Sequence, residues 1–275
     1  METYSVRWFG RVAGALLVLV ILAPLVVVLM TAFSDAKLLD FPPKSYSTYW
    51  LSTLTSSVPW TDSMKMSFKI AGYSCVLAVL LGVPLGLGLA RGRLGRSRAV
   101  HAFVLAPMIV PVISLSIGFY FVSAKLGILG TMAPLIMADV TLGLPLVVVA
   151  VLATVRGLDP ALEPAARTLG ASMPKVLRSV TLPLLAPGIV AGAVFAFLQS
   201  WDDIMNALFL ATARTTTFPL RLWNEIHFSL TPIVATAAVL LSVIAMSVVA
   251  LAGLAYWLRR RSISRQVARN ILLRS

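Results

Sequence analysis

Long apolar runs alternate with short polar segments along the whole chain. There are six such runs, and each holds about 20 residues or more, the length that an α-helix needs to cross a bilayer. The first run is longer than a signal-peptide core and no A-x-A-like cleavage site follows it, so we predict an uncleaved first span. The predicted spans cover residues 12–33, 64–90, 99–124, 131–155, 184–211 and 232–258.

The third predicted span contains two prolines, Pro107 and Pro111. Proline has no backbone N–H and interrupts the hydrogen-bond ladder of a helix, so we expect this span to be broken. Several other spans also contain a proline, and neighbouring helices and water can pair the carbonyls that it frees. Ordinary kinks and bends that open and close a pathway both fit this pattern.

The composition supports the membrane interpretation. Of the 275 residues, 59% are hydrophobic and 12% are charged, whereas a soluble domain is usually about half apolar and about a quarter charged. Six spans with short loops use nearly the whole chain, which predicts one membrane domain without a separate soluble one. The single cysteine, Cys75, excludes an intrachain disulfide.

The net charge of +13 has two explanations, nucleic-acid binding and the excess of Lys and Arg on the cytoplasmic side of membrane proteins. Sixteen of the 23 basic residues fall on one predicted side, so we favour the second explanation and predict no nucleic-acid partner. This asymmetry places both termini in the cytoplasm. The basic tail, residues 259–275, fits either a helix lying on anionic membrane lipid or a disordered segment.

Residues 156–183, here called the elbow, form a polar segment between the fourth and fifth spans. The pattern predicts a short helix from Pro164 to Leu169, which Gly170 ends in a left-handed conformation. Ser172 can cap a second short helix, and Pro183 marks the return into the membrane. A docking surface for a soluble partner and a hairpin without a partner are both compatible with this pattern.

The elbow also carries a specific spacing of residues. It resembles the cytoplasmic signature of ABC importer permeases, which reads Glu-Ala-Ala, three residues, Gly, nine residues, Ile, one residue, Leu-Pro. One position departs from the signature, because Pro164 stands in the place of its acid and Glu163 lies one residue earlier. The segments LGLPLVVVAVLATVRGLDPAL and SWDDIMNALFL resemble the spermidine/putrescine branch of this family. The residues in register are Ala165, Ala166, Gly170, Val180, Leu182 and Pro183.

The resemblance implies an all-α integral membrane protein with the type I ABC importer permease fold: six transmembrane helices and a cytoplasmic coupling-helix elbow between helices 4 and 5. It implies a second permease subunit, two cytoplasmic ATP-binding subunits and a periplasmic or lipid-anchored substrate-binding protein, all at a bacterial inner membrane. It implies neither enzymatic activity nor a cofactor, and the sequence lacks a Gly-rich phosphate-binding loop. The ATPase-coupling residues it implies are Glu163, Ala165, Ala166, Gly170, Leu182 and Pro183.

Three acidic residues lie inside predicted spans: Asp139 in the fourth, and Asp202 and Asp203 in the fifth. A charge at the centre of a span costs on the order of 2.5–3.5 kcal/mol, so each carboxylate needs a partner, water or a proton. The acids either bond to Ser, Thr or Asn206 inside the bundle, or line a pathway for a cationic solute. In the second case Trp201 would form an aromatic wall through cation–π contact.

These observations predict the permease subunit of an importer for a small cationic solute such as spermidine or putrescine. The substrate is not determined by the resemblance, because related permeases transport aminophosphonates, opines, iron or thiamine. An intramembrane aspartyl enzyme that uses Asp139 and Asp202 would not need the elbow, and a stand-alone cation channel would transport without any ATPase. We predict no metal site, because His101 and His227 fall on opposite predicted sides.

Overall fold

The computed structural model describes the backbone of residues 2–91 and 97–272. The described part is nearly all helical. Two arginines predicted on the cytoplasmic side, Arg93 and Arg96, and the end of the tail, residues 273–275, lie outside it. The helices are α1 (Glu2–Ala32), α2 (Tyr49–Ser56), α3 (Val58–Arg91), α4 (Arg98–Leu105), α5 (Val112–Lys125), α6 (Ala133–Arg156), α7 (Leu162–Thr168), α8 (Met173–Val176), α9 (Leu182–Trp201), α10 (Met205–Leu210), α11 (Phe218–Phe228) and α12 (Ile233–Leu272).

Among the described residues, five helices or helix segments are long and apolar enough to cross a membrane. A sixth span arises if the pair Arg98–Met108 and Val112–Lys125, bent by 90°, is counted as one. The predicted break in the third span is confirmed, since Pro107 lies in a 3₁₀ turn and Pro111 directly precedes α5. The five spans are Arg11–Ala32, Val58–Arg91, Ala133–Arg156, Met173–Trp201 and Ile233–Leu258.

The described chain divides into two compact units, residues 1–63 with 221–244 and residues 64–220 with 245–275. In the first unit, hydrogen bonds order the polar segment after α1. The Leu39 N–H donates to the Leu230 carbonyl (3.0 Å), and the Trp50 indole donates to the Ala36 carbonyl (3.1 Å). This unit contains the aromatic residues between the first two predicted spans.

Helix α6 is the core of the second unit. Its Val147 and Val151 are fully buried, and the helices that face them carry small residues. A Cβ added at Gly82 or Gly86 of α3 would lie 2.8 or 2.9 Å from these valine side chains, and one added at Gly192 of α9 would lie 3.0 Å from the Val147 Cα. Small residues let helix backbones approach closely, which supplies packing where the solvent is lipid. Helices α3, α6 and α9 therefore form a tight three-helix core.

The elbow differs from its prediction at Pro164. Helix α7 begins at Leu162, so Pro164 is its third residue, where the N–H has no partner within the helix. A π-helical turn, Leu177–Thr181, joins α8 to α9, and Pro183 is the second residue of α9, where proline is well tolerated. The left-handed Gly170 is confirmed, with φ +81°.

Candidate functional site

The elbow exposes both apolar and basic side chains. Leu169 is 89% exposed and Met173 is 58% exposed, on either side of the turn at Gly170. Large apolar side chains on a polar turn are typical of a surface that another protein covers. Among the other predicted coupling residues, Ala166 and Leu182 are half-buried and Pro183 is exposed. We call the following exposed side chains the elbow surface: Ala165, Arg167, Leu169, Met173, Lys175 and Arg178.

Glu163 points the other way, into the chain. Its Oε1 lies 2.5 Å from Nη2 of Arg91, the last residue of α3. The hydroxyl of Thr181, the last residue of the π-helical turn, donates to the same carboxylate oxygen. A cavity of about 600 Å³ lies beside this contact, and His101 and Arg156 are among the residues that line it. The structure therefore separates Glu163 from the elbow surface.

Asp139 lies in a buried polar network rather than on an open surface. It is 4% exposed, Ser200 Oγ donates to its Oδ2, and Asn206 Nδ2 donates to its Oδ1 at 3.1 Å. The Asn206 Oδ1 in turn accepts from Ser116 Oγ at 2.6 Å. The network joins α5, α6, α9 and α10 and pairs both carboxylate oxygens, so it offsets the cost of burying this group.

Asp202 and Asp203 lie at a break in the fifth predicted span. The prediction of one continuous span over residues 184–211 is wrong here, because α9 ends at Trp201 and α10 begins at Met205. The Asp203 carboxylate accepts the backbone N–H of Asn206 at 3.0 Å, a proton that an unbroken helix would give to a carbonyl. The carboxyl group of Asp203 is also hydrogen-bonded to that of Asp139. The side chain of Asp202, in contrast, is exposed.

The aromatic candidate next to the break is inside the protein. Trp201 is 0% exposed; its ring lies 4.6 Å from that of Phe68 and is stacked on that of Phe197 at 5.9 Å, centroid to centroid. In this conformation the ring has no face open to a solute. It instead anchors the end of α9 against α3, one residue before Asp202.

Four residues of these sites were missed from the sequence: Ser116, Ser200, Thr181 and Arg91. A hydroxyl inside an apolar run is a usable signal, since it needs a partner there, but it does not say which one. Arg91 was counted only toward the charge balance. Among the described residues, no group of three or more His, Cys, Asp or Glu side chains could hold a metal ion.

Comparison with known proteins identifies the fold and the family. The structure resembles that of a bacterial ABC transporter involved in the import of the acidic polysaccharide alginate, with a TM-score of 0.74 at 15% identity over 94% of this chain and 96% of that one. An amino acid ABC transporter aligns with a TM-score of 0.58 at 15% identity, over 74% of this chain and 96% of that one. At such identity the likeness shows the fold alone, and it confirms the predicted class of an all-α ABC transporter permease.

Sequence relatives are permeases for several solutes. The chain is 27% identical to the spermidine/putrescine transport system permease protein PotC of Escherichia coli (strain K12), over 82% of this chain and 85% of PotC. It is 32% identical to the molybdenum transport system permease protein ModB of Mycobacterium tuberculosis (strain ATCC 25618 / H37Rv), over 74% of this chain and 80% of ModB. These relatives are membrane components of transporters and not enzymes.

The family model of the binding-protein-dependent transport system inner membrane component matches residues 82–263. The matched region includes the elbow, the three-helix core from Gly82 onward and the break at Asp202. The chain therefore belongs to this family, the inner-membrane permeases of ABC importers.

Proposed function

We propose that this permease forms half of a translocation pathway, with a second permease as the other half, and that the elbow docks cytoplasmic ATP-binding subunits. Both termini and the elbow lie in the cytoplasm, and a periplasmic or lipid-anchored binding protein delivers the solute from the other side. The single observation that carries the proposal is the elbow surface, which combines exposed Leu169 and Met173 with exposed cations.

The composition of the elbow surface describes its partner. Apolar side chains at the centre of an interface are desolvated by packing, while charges at the rim steer and orient the partner. Leu169 and Met173 flank the turn, and Arg167, Lys175 and Arg178 lie exposed on the same segment. The matching site on an ATP-binding subunit is an apolar pocket with acidic residues at its edge.

Copurification tests the docking. Leu169→Asp is expected to reduce recovery of the ATP-binding subunit with the tagged permease by about tenfold or more, because a carboxylate would enter an apolar pocket and meet its acidic edge. Phe228→Asp is the matched control: Phe228 is 88% exposed, close to the 89% of Leu169, but lies outside the elbow. If neither the wild type nor the control retains an ATP-binding subunit, and the purified chain moves solute without ATP, the chain is a channel instead.

The transported solute is proposed to be a small cation such as spermidine or putrescine. Two observations support this class: the exposed carboxylate of Asp202 at the helix break, and relatives such as PotC that are named for spermidine/putrescine transport. Asp139, Asp203 and Trp201 contribute from inside, because they fix the break that presents Asp202. The similarity to ModB makes another solute of the same importer class the second candidate.

Asp202→Asn tests the charge at the break. The change keeps the size of the side chain and removes one negative charge, so polyamine uptake is expected to fall about tenfold, with unchanged recovery of the ATP-binding subunit. The control is Asp40→Asn, an exposed acid in the other unit, and radiolabelled putrescine uptake into cells is the measurement. Equal uptake by Asp202→Asn and the wild type would show that this acid does not contact the solute.

A further inference from the structure

Three elements of the second unit meet at one oxygen atom. Arg91 is the last residue of α3, Glu163 is the second residue of α7, and Thr181 closes the π-helical turn before α9. The Arg91 guanidinium and the Thr181 hydroxyl both bind Glu163 Oε1, the former at 2.5 Å. We call these three residues the clasp.

The position of the clasp strengthens its ion pair and its hydrogen bond. Glu163 lies in the first turn of its helix and Arg91 in the last turn of its own, so each charge is also stabilised by its helix dipole. Their side chains are 24% and 32% exposed, and Thr181 is 1% exposed, which limits screening by water and salt. A charge-assisted hydrogen bond of this kind is roughly twice as strong as a neutral one.

Among the described residues, few other contacts join the elbow to the ends of the long helices near the clasp. The cavity of about 600 Å³ lies between the elbow and the ends of the long helices, so close packing does not fill that space. The other acid that lines the cavity, Asp159, accepts the backbone N–H of Ala161 at 2.9 Å and serves its own turn. Among the described residues that line the cavity, Glu163 and Arg91 form an ion pair that joins α7 to the end of α3.

Helix α3 connects the clasp to the other end of the unit. It is one helix up to Arg91, and Gly82 and Gly86 pack it against α6. Further back, Phe68 packs on Trp201, one residue before Asp202. At 1.5 Å per residue, Phe68 and Arg91 are about 35 Å apart along α3, which is continuous between them and contains Pro84.

We propose that Glu163 is a positioning residue that ties α7 of the elbow to α3 through Arg91 and to the turn before α9 through Thr181, so that displacement of α7 moves α3 and α9 together. Its carboxylate serves this internal joint and not the docking partner. This inference rests on the proposed function, in which an ATP-binding subunit displaces the elbow. It assigns Glu163, the acid beside Pro164, a role inside the permease, and it makes Arg91 and Thr181 contribute to coupling between ATP hydrolysis and transport.

The test is a double-mutant cycle in the reconstituted complete transporter. In proteoliposomes, Glu163→Gln and Arg91→Gln are each expected to lower the solute moved per ATP hydrolysed by about five- to tenfold, the loss of one charge-assisted contact. The double variant is expected to be no worse than either single one, because both remove the same contact. Recovery of the ATP-binding subunit should stay within about twofold of the wild type, which a docking residue would not allow.

Arg156→Gln is the matched control, because Arg156 lines the same cavity but is exposed and lies outside the clasp. If Glu163→Gln fails to accumulate, Arg91→Lys gives the same readout, since lysine keeps the charge without the planar fork. Unchanged transport per ATP, or additive losses in the double variant, would overturn the clasp. If Glu163→Gln alone no longer copurifies with the ATP-binding subunit, the clasp is overturned but the proposal that the elbow docks this subunit still stands. If the wild type does not copurify with it either, the docking proposal itself is refuted.

Discussion

Gly188→Leu is expected to prevent accumulation of the folded permease. A Cβ at this position of α9 would lie 2.2 Å from Thr154 Oγ1 and 2.9 Å from the Ala150 carbonyl oxygen. The Ala150 carbonyl belongs to the backbone of α6 and cannot yield without moving the helix, and rotating the Thr154 hydroxyl away would break its 2.9 Å hydrogen bond to that carbonyl. Overpacking of a core costs about 1–3 kcal/mol when side chains adjust, and a clash with backbone lies at or above the upper end of that range.

Detergent extraction followed by fluorescence-detected size-exclusion chromatography measures this result. The expected outcome is a collapsed monodisperse peak, and for the milder Gly188→Ala a lowered midpoint of thermal unfolding. Gly88→Leu is the control, because a Cβ at Gly88 of α3 meets nothing within 4 Å in the same unit. A normal peak for Gly188→Leu would mean that α6 and α9 do not pack at this distance.

The spans and the elbow turn were predictable because their causes are local. A run of about 20 apolar residues needs no knowledge of its neighbours to be assigned to a bilayer. Gly170 was assigned a left-handed conformation because only glycine adopts it freely at the end of a helix, and its φ of +81° agrees. The break between α4 and α5 could likewise be predicted from Pro107 and Pro111, whereas the 90° angle between the two helices could not.

The break after Trp201 could not be assigned from the apolar pattern. There the backbone N–H of Asn206 can donate either to a carbonyl of a continuing helix or to the carboxylate of Asp203. Tertiary contacts of these residues determine which acceptor it binds. Asn206 is also bound to Asp139 of α6, which is remote in sequence. The ion pair of Glu163 with Arg91 is likewise a tertiary contact, and neither residue type nor spacing indicates that partner.

Gly170→Ile is expected to leave the permease folded and inserted but to abolish coupled transport, with a loss of about tenfold or more. A β-branched residue at φ +81° is strained by roughly 1–2 kcal/mol, and the chain can relieve this only by reshaping the turn between α7 and α8. A Cβ at Gly170 meets nothing within 4 Å, so packing inside the chain is not disturbed. The change acts on the relative positions of Leu169 and Met173, which flank the turn.

Gly127→Ile separates this effect from strain in general. Gly127 also has a positive φ, +66°, and an added Cβ there also meets nothing within 4 Å, but it lies in the turn after α5, outside the elbow. We expect both variants to reach the membrane in similar amounts and only Gly170→Ile to lose binding-protein-stimulated ATP hydrolysis and solute uptake. Gly170→Asn should recover much of the activity, since asparagine tolerates the left-handed conformation. Equal losses in Gly127→Ile and Gly170→Ile would assign the defect to backbone strain, and the elbow turn would then have no special part in coupling.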